Sequence, residues 1–256
     1  MVVVQYHGGM GNRLFQYAYG RLLAEAKGYA LLSPEGSELR ERGFPQVSQA
    51  VTGKKVADPV IYVLPENRDG VPNSAQENPI DPQDLSGKLP EGKIWINGFF
   101  QHYRFYARHR RKILDWFRTD IALPDGPGPG DLVIYIQSFF NVGSDFYCRI
   151  LRKKSWDRLW AVVNHPERSW NILTDLRKFE PKVFHSRDHL VDFEFLRQAK
   201  RMILAPSTFA WWAAWLSEAE EITMARPSEG YGSRSHGVAQ LEVGDLSSWR
   251  YENYRV

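Results

Sequence analysis

Four places in this sequence carry residue types that do chemistry. The first is His7-Gly8-Gly9-Met10-Gly11-Asn12-Arg13. Glycines at this density let the backbone come close to a ligand, because no Cβ holds it off. The N–H groups of a helix starting there suit an anion. Asn12 adds a short amide that donates to an oxygen, and His7 is a candidate proton acceptor. The plainer readings are a ligand-free strand-to-helix turn and a structural His7. The second place is Ala205 to Leu216, APSTFAWWAAWL. One hydroxyl of Ser207 and Thr208 caps a helix, and the other is placed to hold a phosphate. The third is Asp192, whose carboxylate either faces a helix N-terminus or accepts two hydrogen bonds from one edge of guanine. The fourth is a pair of acids, Asp145 and Asp175, either of which could serve as a general base.

These residues need elements to position them. Val2 to Tyr6 reads as a short strand and Leu14 to Ala26 as the helix after it. From Ser33 to Gly92 the composition indicates loops with short strands. Ile94 to Phe100 reads as a strand, followed by a basic helix from about Tyr103 to Phe117. Its run Arg108-His109-Arg110-Arg111-Lys112 is read as a solvated face, with a phosphate or membrane-surface patch as the alternative. Pro124 to Asp131, PDGPGPGD, is the strongest break, so domains of 1–125 and 126–256 are expected. Beyond it the pattern predicts a strand at Leu132–Ile136 and a helix starting at Phe146–Leu151. Trp156–Val163 reads as a helix and Trp170–Leu173 as a strand ending at Asp175. A helix over Val191–Ala199, a strand at Met202–Ala205, a helix over Thr208–Leu216 and a last strand at Glu221–Ala225 complete the series. Two such α/β halves imply doubly wound domains facing a cleft. Trp211, Trp212 and Trp215 are read as core, with sugar platforms as the alternative.

Composition bounds the rest. The chain has 256 residues, 43% hydrophobic and 25% charged, which excludes a disordered or fibrous protein. A net charge of +3 is too small to argue for nucleic acid. The lone Cys148 excludes an internal disulfide framework and a multi-cysteine zinc site. No charged leader opens the chain and no run of 18 uncharged apolar residues occurs, so a cytoplasmic protein is expected. Aromatic residues reach 14%, nine of them Trp, for which carbohydrate handling is one reason.

GGMGNRLFQYAYG and PSTFAWWAAWL resemble the two ends of the bacterial and animal α1,2-fucosyltransferase family. Between them, INGFFQHYRFY resembles the family's glycine-aromatic-aromatic-Gln segment around Gln101. NILTDL around Asp175 is similar to its Ser-Asp-Asp strand end, and DFEFLRQAKRMILAPSTF to its Asp-Phe helix and serine motif. The spacing from Asp192 to Ser207 and Thr208 also resembles that of protein O-fucosyltransferases and α1,6-fucosyltransferases. The resemblance implies a GT-B-like fold of two Rossmann-type domains. It implies GDP-fucose as donor, inversion at the anomeric carbon, no metal or other cofactor, and a terminal β-galactoside or similar glycan as acceptor. By the same carry-over, Asn12 lies near the reacting centre with the turn from Gly9 to Gly11. Ser207, Thr208 and Phe209 hold the donor's β-phosphate end, Asp192 reads guanine, and Asp175 adds to the donor side. Gln101 and His7 fall on the acceptor side. Lipid-linked acceptors would bring the protein to the inner membrane face.

One segment departs from the family. Its H-x-R-x-G-D segment carries an Arg that neutralises the leaving diphosphate, but here the strand reads LVIYIQSFF from Leu132 to Phe140. Tyr135 falls where His would be, Gln137 where Arg would be, and the Gly-Asp pair is absent. A neutral amide does not replace a guanidinium against a dianion. Arg13, where the family has Gln, either compensates from the other domain or is a surface arginine. Three readings follow: a fucosyltransferase, a relative with a shifted donor, and a silent GDP-sugar or glycan-binding protein.

Overall fold

The computed structural model describes residues 1–32, 39, 44, 47, 53, 61–63, 81–139, 142–227 and 241–254. The chain divides into two compact units, Met1–Asp120 with Ala239–Leu241, and Ile121–Val238 with Glu242–Val256. Most of the Ser33 to Gly92 region, Phe140 and the residues after Pro227 up to 240 lie outside the described residues.

The first unit holds β1 (Val2–Val4), α1 (Met10–Lys27), β2 (Leu31–Leu32), β3 (Ile61–Val63), α2 (Pro82–Lys88), β4 (Lys93–Ile96), α3 (Arg104–Ala107) and α4 (Arg110–Trp116). Its four strands pair in the order β2-β1-β4-β3. Every pairing is parallel, with Val2 opposite both Leu31 and Ile94. Strands buried on both faces are apolar throughout, as in Val2-Val3-Val4. Helix α1 lies close on this sheet at Gly20, where a Cβ would meet Val4 Cγ2 at 2.6 Å and Ile96 Cδ1 at 2.9 Å. It ends at Gly28, whose left-handed φ of 65° lets its N–H return to the last carbonyls of the helix.

Three expectations for this unit change. β1 stops at Val4 and β4 at Ile96, because the chain turns off each sheet edge to form the loops described below. The basic helix is broken at Arg108-His109 into α3 and α4. Its charged run is tied down: Arg108 pairs with Asp81, and Lys112 lies 2.6 Å from Glu25 on α1.

The second unit holds β5 (Leu132–Ile136), α5 (Ser144–Leu151), β6 (Leu159–Val163), α6 (Trp170–Leu176), β7 (Lys182–Phe184), α7 (His189–Gln198), β8 (Arg201–Leu204), α8 (Thr208–Trp215), β9 (Glu221–Pro227) and β10 (Trp249–Tyr254). The sheet order is β10-β9-β8-β5-β6-β7, again parallel throughout. Counted along the chain this is the 3-2-1-4-5-6 order of a dinucleotide-binding fold. Trp211, Trp212 and Trp215 on α8 are fully buried, so they are core.

Two elements here reverse their expected type. Trp156–Val163 contains strand β6 rather than a helix. A central parallel strand is apolar on both faces, and its run does not distinguish it from a buried helix. Trp170–Leu173 is the start of α6 rather than a strand, so Asp175 stands on a helix and not at a strand end. Its exposed Trp170, in a stretch rich in strand-forming residues, imitated an edge strand. β10 follows the strand taken as last. Among the described residues no helix is long and apolar enough to cross a membrane.

Candidate functional site

In the first unit the adjacent central strands are β1 and β4, and among the described residues no strand of its sheet follows β4. In the second, consecutive strands run off in opposite directions from between β5 and β8. Loops leaving the carboxyl ends of such a strand pair diverge and open a crevice, where open α/β sheets take their ligands.

In the first unit the loop from β1 is the glycine turn. Gly8 has φ 76°, and a Cβ there would meet Asn12 Nδ2 at 2.3 Å. Only glycine allows both this backbone and the fold of the Asn12 amide over it. The loop from β4 brings Gln101, whose Nε2 donates to Asn12 Oδ1 at 2.9 Å. That bond fixes which end of the Asn12 amide faces Gly8. Gly9 is the N-cap of α1 with no side-chain cap bond, and no acidic residue stands in the first turn. Its N-terminal dipole is therefore unopposed by charge from its own turn. Gly11 is buried beneath the turn. Arg13 donates from Nε to the Gly8 carbonyl at 3.1 Å, so it braces the turn. The His7 backbone N–H donates to Oε1 of the fully buried Gln16 at 3.0 Å, and its ring Nε2 is buried without a partner.

His102 went unread in the sequence. It follows Gln101, stacks on Phe105 with ring centroids 4.8 Å apart, and its buried Nδ1 has no partner. Burial, then the Arg104 cation, pushes its pKa below the usual imidazole value, so it is neutral at neutral pH.

In the second unit the loop from β8 is the serine motif. Ser207 is the cap of α8: its Oγ accepts from the Phe209 N–H at 3.2 Å. The same hydroxyl hydrogen-bonds the phenol of Tyr135, the residue standing where the family has His. Burial pushes that phenol far above its ordinary pKa, so it stays protonated. Thr208 opens the helix beside the cap. Phe209 stacks on Tyr135 at 5.7 Å and meets Phe193 edge-on at 5.4 Å.

Asp192 belongs to the same cluster, since its charge reaches Tyr135. It is 3% exposed, and its Oδ1 accepts from the Ser186 N–H at 3.0 Å and the Ser186 hydroxyl at 2.7 Å. It thereby holds a turn in which Arg187 adopts a left-handed φ of 65°. Asp175 is elsewhere: it is exposed on α6 and accepts from Ser144 Oγ at 2.5 Å. Asp145 is exposed in the first turn of α5.

The loop from β5 carries Gln137, Ser138 and Phe139. Ser138 donates its N–H to Asn164 Oδ1 at 3.1 Å, which ties this loop to the one after β6. Phe139 is 68% exposed, lies edge-on to His165 at 6.1 Å, and has the Arg168 guanidinium over its face at 5.9 Å. Thus a cation stands next to the β5 loop, although residue 137 is neutral. Sequence reading missed Arg168 because the contact joins loops from two strands that were not both recognised as strands.

No family model matches the chain. It is 21% identical, over an alignment of 258 residues, to an alpha-1,2-colitosyltransferase of Escherichia coli. That alignment covers 84% of this chain and 87% of the relative. Among solved structures it is similar to a mutant of Arabidopsis thaliana FUT1 in complex with GDP. The TM-score is 0.52 at 12% identity, covering 89% of this chain and 71% of that one. The fold is therefore GT-B-like, built from two α/β units with parallel sheets, as the sequence led one to expect.

Proposed function

We propose that this protein is an inverting glycosyltransferase that moves fucose from GDP-fucose to a hydroxyl of a terminal β-galactoside or similar glycan, forming an α1,2 linkage. One observation carries the reading. The glycine turn and the serine motif, read from sequence as the chemical segments, both leave the carboxyl ends of central strands of parallel sheets, the serine motif at a switch point. Support also comes from similarity to a protein named as an α-1,2-linking sugar transferase. The solved relative, an enzyme held with GDP, supports a guanine nucleotide.

In this reading the bond from the sugar's anomeric carbon to the β-phosphate oxygen breaks while the acceptor oxygen bonds to that carbon. Negative charge grows on the diphosphate. The α8 N-terminus with Ser207 and Thr208 offsets it. Arg168 supplies the cation that residue 137 lacks. Asn12, held by Gln101, orients the acceptor hydroxyl. His7 or His102 takes its proton, each being a half-buried imidazole beside this turn. Asp192 accepts from guanine, no metal takes part, and any membrane contact is made through a lipid-linked acceptor.

A second reading has its own support. The curated relative is named for colitosyl transfer, and colitose is fucose without its 3-hydroxyl. The test is transfer from GDP-fucose and GDP-colitose to a β-galactoside, with the product linkage read by NMR. An α1,2-fucosylated product supports the first reading, and product only from GDP-colitose the second. Absence of product across a panel of acceptors contradicts both and favours a binding protein.

A further inference from the structure

We infer that Gln137 is a specificity-determining residue that binds a hydroxyl group of the nucleotide sugar. The inference rests on the donor reading above and names a contact within it. Gln137 stands one residue beyond β5, at the point where the second sheet reverses its strand order. Its side chain is half buried, yet Oε1 is sealed from water and has no hydrogen-bond partner. Turning the amide over exchanges an orphaned acceptor for an orphaned donor, so the deficit does not depend on its assigned orientation. The next residue repeats the pattern: Ser138 Oγ is buried and unpartnered while its backbone N–H is fixed on Asn164. Buried polar groups normally find a partner, and these two stand in succession at the switch point of the second sheet, where such folds take their ligands.

The chemistry of the missing group follows from the donor set. A phosphate oxygen only accepts, so it leaves Gln137 Oε1 unpaired as it is placed, and an apolar group does neither. A hydroxyl both donates and accepts, so it satisfies either end of an amide and a serine hydroxyl as well. A nucleotide sugar offers hydroxyls on its ribose and on the transferred sugar. Both are neutral, matching a site whose residue 137 is neutral.

The experiment is calorimetric titration of GDP, 2′,3′-dideoxy-GDP and GDP-fucose into the unaltered protein, Gln137→Met and Gln137→Ala. Met keeps the length of the side chain without its polar atoms, so it guards against a packing effect. If the ribose is the partner, both variants lose roughly 3- to 10-fold in affinity for GDP and GDP-fucose and nothing for the dideoxy nucleotide. If the sugar is the partner, they lose affinity for GDP-fucose alone. Equal affinities, or equal losses for all three ligands, overturn the inference and leave the donor reading standing. Failure of the unaltered protein to bind any of them overturns the donor reading itself.

Discussion

Gln101 and Asn12 are 89 positions apart in the chain and are joined by one hydrogen bond, Nε2 to Oδ1 at 2.9 Å. It connects the loops leaving the two central strands of the first sheet and sets the direction of the Asn12 amide. Gln101→Ala should therefore lower kcat about tenfold, the cost of one lost orienting hydrogen bond. GDP affinity should not change. Steady-state kinetics beside a GDP titration separates the two; a loss of GDP affinity instead would contradict the acceptor-side role.

Gly8 is a sharper test of the same turn. Its φ of 76° and the 2.3 Å approach of Asn12 Nδ2 leave no room for a Cβ. Gly8→Ala should destabilise the fold by about 1–2 kcal/mol and reduce turnover, because Asn12 must move. Gly9 has nothing within 4 Å of its would-be Cβ, so Gly9→Ala is the milder control and should lose only the cost of alanine at the N-cap of α1, about 0.5–1 kcal/mol.

Asp192 has both a structural and a proposed ligand role, and Asp192→Asn separates them. Asparagine retains an oxygen for the Ser186 N–H and hydroxyl but loses the charge. The expected outcome is a melting temperature close to that of the unaltered protein and GDP affinity lower by about 10- to 100-fold. Unchanged GDP affinity would mean that Asp192 only holds the turn.

Asp131, at the head of β5, predicts an acid-dependent loss of stability. Burial alone would raise its pKa, but hydrogen bonds from Arg158, Trp160 Nε1 and the Gly128 N–H outweigh it and hold it below the ordinary 3.8. Its folded-state value is depressed, so its contribution is complete above the unfolded value and vanishes as pH falls through the folded one. Urea denaturation between pH 5 and about 2 should show this loss, and Asp131→Asn should flatten it.

Much of this architecture was legible in the residues. Val2-Val3-Val4 followed by glycines announced a strand and turn, and the Trp-rich α8 announced a buried helix. What failed was local. β6 is apolar on both faces and so lacks the alternation that identifies a strand. α6 buries only Leu176, so it had no helical stripe to read. Asp175 was misplaced with it. At the site, Asn12, Gln101, Ser207 and Asp192 stood out singly in separate motifs, but the bonds from Gln101 to Asn12 and between Ser207 and Tyr135 come from the fold. Arg168 over Phe139, the unpartnered His102 nitrogen and the orphaned Gln137 amide were not legible. They arise from loops of different strands meeting, which no single stretch of sequence encodes.

The most direct test of the central claim is calorimetric titration of GDP and UDP into the purified protein, in EDTA. The account predicts that GDP binds without metal and that UDP binds far more weakly, because uracil lacks the paired N–H donors that one edge of guanine offers the Asp192 carboxylate. Equal binding of both nucleotides, or of neither, would contradict it.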